Sequence, residues 1–458
     1  MSFLLDYEEV TQNNEVPRTF HLYSSLVALS GLMGGRIWLD LGLFKIRPNL
    51  YVVLTGTPGV KKTTAMSVCK RLLREMKGQV PLAAECLTKE ALTLDMGQHS
   101  KLIDGLPEGS VPDQFAPMDE KKTKFMVTPM TVCVTELSQF VGSGGAAGHM
   151  LDFLTTIYDE ETYENKTKGK GTDTLPMPYL TLLACTVPDW ITARLKDDVI
   201  TGGFSRRTIF VFEHATNLRV PRPVITQNME DAWKRLVIKA RKLLTLKGEV
   251  LWDEGAVEFY DDWYMKLKRP EDPLLEGWYN SVHVQMLKIG MLIAASEWES
   301  GPLYLGISHM KMSMELLKLV EENIPLVFKG VGRNELYGIS NKVTEMLQFA
   351  PNKELPLQFV QKEMYRDVNA EEFTKILNHL VSIGTVSKII KKHKITQRPT
   401  QYLVLKCPDT TDRNIVTLTP PRLTPTVTQL HSLSLTEFGA ELKSLKIESF
   451  DITPETDS

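Results

Sequence analysis

The run Leu54–Ala65, LTGTPGVKKTTA, constrains this chain more than any other segment. The apolar stretch YVVL enters it, a Gly/Pro turn follows, and TTAMSVCKRLLREMKG leaves it with helical spacing. A strand, a glycine-rich turn and a helix in that order gather backbone N–H groups and the positive end of a helix around one point. That arrangement holds phosphate. Aligned on GxxxxGK[ST], Gly56 is the first glycine, Lys62 the lysine and Thr63 the hydroxyl for Mg2+, with Pro58, Gly59 and Thr64 completing the cradle. Lys61 stands where the second glycine belongs, so its side chain must point away from the phosphates or change their path. The segment reads as a site for ATP and Mg2+.

The flanking sequence fits an α/β fold. NLYVVLTG, MTVCVTEL, YLTLLACT and RTIFVFE are short, apolar and β-branched, and helical patterns separate them. Such alternation predicts a largely parallel sheet. We divide the chain into a helical lead-in at 1–48, a core at 49–215, a helical region at 216–333, a module at 334–406 and a tail at 407–458. The lead-in carries a helix ending at Gly34-Gly35, then a hairpin of IWLDL and LFKI. Residues 98–124, rich in Gly, Pro, Asp and Lys, read as a loop insertion. The module reads as three helical runs and a terminal hairpin, a winged-helix pattern. No segment has the roughly 20 uninterrupted apolar residues of a membrane span, and the N-terminus turns acidic too early for a signal peptide.

A phosphate loop that hydrolyses ATP needs a carboxylate on a neighbouring strand, to hold Mg2+ or to activate water. Glu136 follows the strand Val132–Val134, and Thr135 occupies the usual aspartate position before it. Thr186, at the tip of YLTLLACT, suits either a γ-phosphate sensor or a cap for the helix DWITARL. Arg206 and Arg207, on a Gly-flanked turn, suit either an arginine delivered to a neighbouring subunit's transition state or a structural pair. Lys166, Lys168 and Lys170 lie on a Gly-containing hairpin tip. They suit either a grip on a single strand's backbone or a solvated loop.

These blocks, RPNLYVVLTGTPGVKKTTA, VTELSQFV, YLTLLACTVPDWI and TGGFSRRTIFVFE, resemble a phage and mobile-element P-loop ATPase family of the primase–helicase type, related to AAA+ and superfamily 3 helicases. The resemblance spans roughly residues 15–320, and VQMLKIGMLIAASE resembles the family's helical region. It implies an ATPase core, a homo-oligomeric ring (a hexamer), and movement on single-stranded DNA during replication in the cytoplasm of a bacterial host. Carried over, Lys62 and Thr63 bind phosphate and metal, Glu136 activates water and Thr186 is the first sensor. Arg207 fits the family's Gly-Phe-x-x-Arg position better than Arg206. Lys166, Lys168 and Lys170 fall where superfamily 3 helicases carry a DNA-contacting hairpin. Lys61 and Thr135 depart from the family pattern. No zinc ribbon precedes the loop, so primase activity is not expected of this chain.

Charge is uneven. The total is −3, yet residues 381–406 carry Lys388, Lys391, Lys392, Lys394, Lys406 and Arg398 with no acid, and the tail beyond them is acidic. The basic stretch, with its would-be wing, suits either salt-sensitive contact with DNA phosphates or a structural or protein-docking module. The acidic tail around Phe450 suits either docking on a replication protein or simple solubilisation. The five cysteines form no CxxC pair, which argues against a zinc ribbon and a disulfide framework. Two functions therefore compete: an ATP-driven DNA helicase or translocase, and an ATP-switched helicase loader or replication initiator that unwinds nothing.

Overall fold

The computed structural model describes residues 2–104, 124–142, 145–159, 161–167, 171–194, 203–214, 219–268, 275–328, 342–344, 346–348, 350–365, 368, 370–382, 384–392 and 399–405. The chain is mixed α/β with parallel sheets. Contacts divide the described residues into two units, one within 1–329 and the other within 330–422.

The first unit opens with helices α1 (Phe3–Val10) and α2 (Arg18–Met33). Ser2 caps α1 by accepting from the Leu5 N–H. Helix α2 stops at Gly34, whose φ of 53 suits the left-handed turn that ends a helix. Its interior is buried over nearly all of its circumference, with Phe20, Tyr23, Leu26, Leu29 and Leu32 at 0% exposure, as expected for a helix between two layers. The expected hairpin follows as β1 (Ile37–Asp40) and β2 (Lys45–Ile46), paired antiparallel.

Next come β3 (Tyr51–Thr55), α3 (Lys62–Arg74), α4 (Lys89–Gln98), β4 (Lys101–Asp104) and β5 (Lys124–Val134). The stretch read as a loop insertion thus begins as strand β4, antiparallel to β5; residues 105–123 lie outside the described residues. Beyond β5 are α5 (Leu137–Val141), α6 (Gly145–Ile157), the antiparallel hairpin β6 (Thr162–Thr167) and β7 (Gly171–Pro176), then β8 (Pro178–Thr186). The series closes with α7 (Pro188–Arg194), α8 (Gly203–Arg207) and β9 (Thr208–Phe212).

The main sheet has the order β4-β5-β8-β3-β9. All four apolar runs expected as strands are in it, and β5, β8, β3 and β9 are parallel. Every residue of β3, β8 and β9 is buried, which explains why these strands read as continuous apolar runs instead of alternating ones.

Residues 216–333, read as helical, contain two strands as well. Helix α9 (Gln227–Leu243) precedes β10 (Gly248–Trp252), α10 (Ala256–Met265) and α11 (Glu276–Glu297) precede β11 (Leu303–Leu305), and α12 (Ile307–Glu321) and α13 (Ile324–Val327) follow. Strand β10 pairs in parallel with both β1 and β11, giving a second sheet of order β11-β10-β1-β2. Three- and five-residue strands carry too little periodicity to be separated from helix ends by sequence. Helix α1 is clamped on α9 by Asp6, fully buried, which lies 2.8 Å from Arg235 Nε and 2.7 Å from Lys239 Nζ.

The second unit holds β12 (Glu354–Pro356), α14 (Leu357–Met364), α15 (Ala370–Ser382), β13 (Val386–Lys392) and β14 (Pro399–Leu405). The expected terminal hairpin is present, and β12 extends it to a sheet of order β12-β14-β13, antiparallel throughout. Val360, Phe373, Ile376, Leu380, Val386 and Leu403 form its core.

Candidate functional site

The loop from Gly56 to Lys61 leaves the carboxyl end of β3, where ligands bind in open parallel sheets. Strand β3 lies between β8 and β9, so the loop is flanked by the tips of both. Thr55 is in register with Thr186 on one side and Phe212 on the other. The backbone is close-set here: a Cβ built on Gly56 would lie 2.5 Å from Glu213 O, so only glycine fits.

Lys61 is the N-cap of α3 and has φ 66, ψ 28. It thus takes the left-handed conformation that a glycine would adopt freely, at a steric cost of about 1–2 kcal/mol for a side chain. Its ammonium points away from the loop's interior to Glu15 Oε2, 3.6 Å distant. No side chain caps α3; the Thr64 N–H bonds back to Lys61 O at 3.1 Å, while the Lys62 and Thr63 N–H groups have no partner among the described residues and stand open to an anion. Thr63 and Thr64 are exposed in that turn, as are Thr57, Pro58 and Gly59 in the loop.

Lys62 turns the other way. It is 9% exposed and donates from Nζ to Gly56 O at 2.6 Å and Thr57 O at 3.2 Å. Burial lowers the pKa of this ammonium, opposed by Cys185 and Glu136. Glu136 therefore stands within electrostatic reach of Lys62. It is exposed at the N-cap of α5 and makes no capping bond.

Thr135, at the position of the missing aspartate, donates to Glu85 Oε2 at 3.3 Å. Glu85 also accepts from Lys70 of α3, and that bond holds its carboxyl below the usual range. Sequence spacing did not reveal Glu85, because the segment carrying it is placed by a single parallel bridge between Leu82 and Thr131.

Thr186 is 1% exposed, and its Oγ1 has no hydrogen-bond partner among the described residues. The capping alternative is overturned: the hydroxyl does not bond to the start of α7. Leaving a buried hydroxyl unpaired costs about 1–3 kcal/mol, and no described residue offers this one a partner. An uncapped helix N-terminus, a buried lysine, a glycine that admits no Cβ and an orphaned hydroxyl fit a polyphosphate. For the metal, the exposed Thr63 hydroxyl and Glu136 carboxylate fit Mg2+, which is bound through one or two protein ligands with phosphates and water.

Arg206 and Arg207 do not join this group. They precede β9, at the amino end of the sheet, since Thr208 is in register with Tyr51. The length of β3 separates them from the loop, roughly 15 Å at ~3.3 Å per residue. Arg207 is held in place, with Nε 2.8 Å from Asp159 Oδ2, Nη1 bonded to Gly203 O at 2.9 Å, and its guanidinium near the Tyr158 ring. Arg206 is exposed and has no hydrogen bond or ion pair among the described residues. The preference for Arg207 on motif spacing thus meets a guanidinium that is already paired.

Beneath Arg207 is a polar network that sequence reasoning missed. Lys288 of α11 is 2% exposed, donates to Asn49 Oδ1 at 2.7 Å and lies 3.7 Å from the Tyr158 ring centroid. Burial lowers it to about 7, with Arg207 and Arg47 acting in the same direction and Asp159 against. Gln285 donates to Tyr158 Oη at 3.2 Å and to Arg207 O at 3.1 Å.

Of the candidate DNA-contacting lysines, Lys166 is exposed near the β6–β7 tip, while Lys168 and Lys170 lie outside the described residues. In the second unit, Lys388 donates to Asn378 Oδ1 at 3.3 Å and Lys391 pairs with Glu354. Lys392 is on β13, and Lys394, Arg398 and the acidic tail lie outside the described residues. No helix of the described residues is long and apolar enough to cross a membrane.

Compared with protein-family models and with curated proteins, the chain matches none.

Proposed function

We propose that this chain is a P-loop ATPase that couples ATP hydrolysis to movement on single-stranded DNA, as a helicase or translocase in phage or mobile-element replication. The reading is supported above all by the buried Thr186 hydroxyl, without a partner among the described residues, beside a loop that carries Lys62. Bound Mg2+ would neutralise charge on the β- and γ-phosphates. Lys62 exchanges its two loop carbonyls for phosphate oxygens, and the first-turn amides of α3 bind the same group. Thr63 and Glu136 hold the metal, and Glu136 takes the proton of the attacking water. Thr186 donates its hydroxyl to the γ-phosphate, ending its isolation.

The arginines stand too far from their own loop to act on it. In this reading they act on the site of a neighbouring copy in a ring, in the hexameric arrangement the resemblance implies. Arg206, exposed and without a partner among the described residues, is the arginine delivered there, and Arg207 braces the turn through Asp159. Lys166, Lys168 and Lys170 contact the strand, and the second unit acts as a winged-helix module with Lys388, Lys391, Lys392, Lys394 and Arg398 toward DNA phosphates. The acidic tail is a candidate docking peptide for a replication protein, and the setting is the cytoplasm of a bacterial host.

The alternative is an ATP-switched loader or initiator. Two observations favour it: Thr135 is engaged with Glu85 where an aspartate would aid metal binding, and Lys391 is neutralised by Glu354. ATP turnover by the wild type and Lys62→Ala, with and without single-stranded DNA, separates the two. Turnover that rises with DNA and vanishes in the variant supports the motor. Binding without turnover leaves the loader.

A further inference from the structure

We infer that Lys61 is a second phosphate-binding cation of the loop, and that Glu15 competes with nucleotide for it. The inference rests on the reading of the loop as a phosphate site. Lys61 is the N-cap of α3, so its stem starts at the helix end that attracts anions, next to the exposed loop residues Thr57, Pro58 and Gly59. It does not share the resting partners of Lys62. One lysine is folded inward onto Gly56 O and Thr57 O, and the other reaches outward to Glu15.

The outward contact is the exchangeable one. At 3.6 Å it is an ion pair beyond hydrogen-bond length, between side chains that are 50% and 30% exposed. Pairs of that kind contribute little. A polyphosphate carries more negative charge than one carboxylate and sits over the helix N-terminus, so it outcompetes Glu15 for a lysine with four rotatable bonds.

Glu15 keeps a partner after the exchange. Its Oε1 accepts the Val220 N–H at 3.0 Å. The carboxylate is a node between the α1–α2 connection, the N-terminus of α3 and the segment after β9. A parallel tie runs from Thr19 of α2 to the Glu213 carboxylate, while Glu213 O packs on Gly56. Withdrawal of Lys61 removes one of these ties, so nucleotide binding loosens α3 from the α1–α2 connection.

The test is calorimetric titration of the full chain with Mg-ATP for the wild type, E15Q, K61G, E15Q/K61G and K62A. E15Q keeps an oxygen for the Val220 N–H and removes only the charge. K61G suits the backbone, because glycine adopts φ 66 without strain. E15Q should bind ATP about three- to tenfold more tightly, the range expected when a weak competing ion pair is removed. K61G should bind more weakly by a similar factor, and the double variant should match K61G. In hydrogen exchange, amides of residues 12–19 should lose protection on ATP addition in the wild type but show no change in K61G. E15Q affinity equal to or below that of the wild type, or K61G affinity equal to it, overturns the inference. If K62A alone abolishes binding while E15Q and K61G match the wild type, the loop reading stands and only the role of Lys61 falls. Undiminished binding by K62A overturns both.

Discussion

Thr186 faces Thr55 across adjacent parallel strands, and at the point where both strands end its hydroxyl is buried without a partner among the described residues. The neighbouring Thr55 hydroxyl bonds within its own strand, to Val53 O at 3.4 Å. Two threonines in register thus have different fates: one hydroxyl bonds within its own strand, and the other has no partner among the described residues.

This asymmetry predicts opposite effects on stability and activity for Thr186→Val. Removing an unpaired buried hydroxyl at nearly constant volume should leave the melting temperature unchanged or higher. ATP turnover should fall at least about tenfold, the loss expected for one donor at a transition state. A stability loss above ~1 kcal/mol would mean the hydroxyl has a structural partner.

Gly56→Ala should damage the loop through sterics alone. The added Cβ would meet Glu213 O at 2.5 Å and Val60 Cγ1 at 3.0 Å. The carbonyl belongs to backbone that also bonds Thr55, so it yields only with a shift of the β9 exit. We expect a loss of about 1–3 kcal/mol, read by denaturant unfolding, together with weakened ATP binding.

The two arginines should separate cleanly. Arg207→Ala strips Asp159 of its partner and removes the bond to Gly203 O, costing about 1–2 kcal/mol. Arg206→Ala should stay within about 0.5 kcal/mol of the wild type, yet lower turnover without changing ATP affinity. Equal thermal stabilities for the two variants would refute the bracing role of Arg207.

Lys288 should make stability depend on pH in a defined direction. Its folded value is lowered to about 7, against about 10.4 in an unfolded chain. Between these values the unfolded state binds more protons, so stability rises as pH increases through the window. Below about pH 7 the full penalty applies, of order 5 kcal/mol before relaxation. Lys288→Met should therefore raise the melting temperature at pH 7, offset in part by leaving Asn49 Oδ1 unpaired, with a gain that shrinks toward pH 10. Thermal melts from pH 6 to pH 10 check this, and a pH-independent difference would refute it.

Much of the main sheet was legible because its strands are buried on both faces. Tyr51–Thr55, Pro178–Thr186 and Thr208–Phe212 announce themselves by continuous apolar character. Strands β10 and β11 were not legible, being short and set in amphipathic surroundings; β10 becomes a strand by pairing with β1, and β11 by pairing with β10. The choice between sensor and cap for Thr186 also lay beyond spacing, since both need a hydroxyl at a strand tip.

The sequence by itself determined the strand, turn and helix around Lys62, the acidic residue after β5 and the alternation that builds a parallel sheet, because these depend on local pattern. Tertiary structure alone decided that Lys61 pairs with Glu15, that Arg207 is spent on Asp159 across 48 residues, and that Lys288 meets Asn49 across 239. Each of these is a contact between elements far apart in the chain, and only the packing of layers determines which side chains are desolvated together.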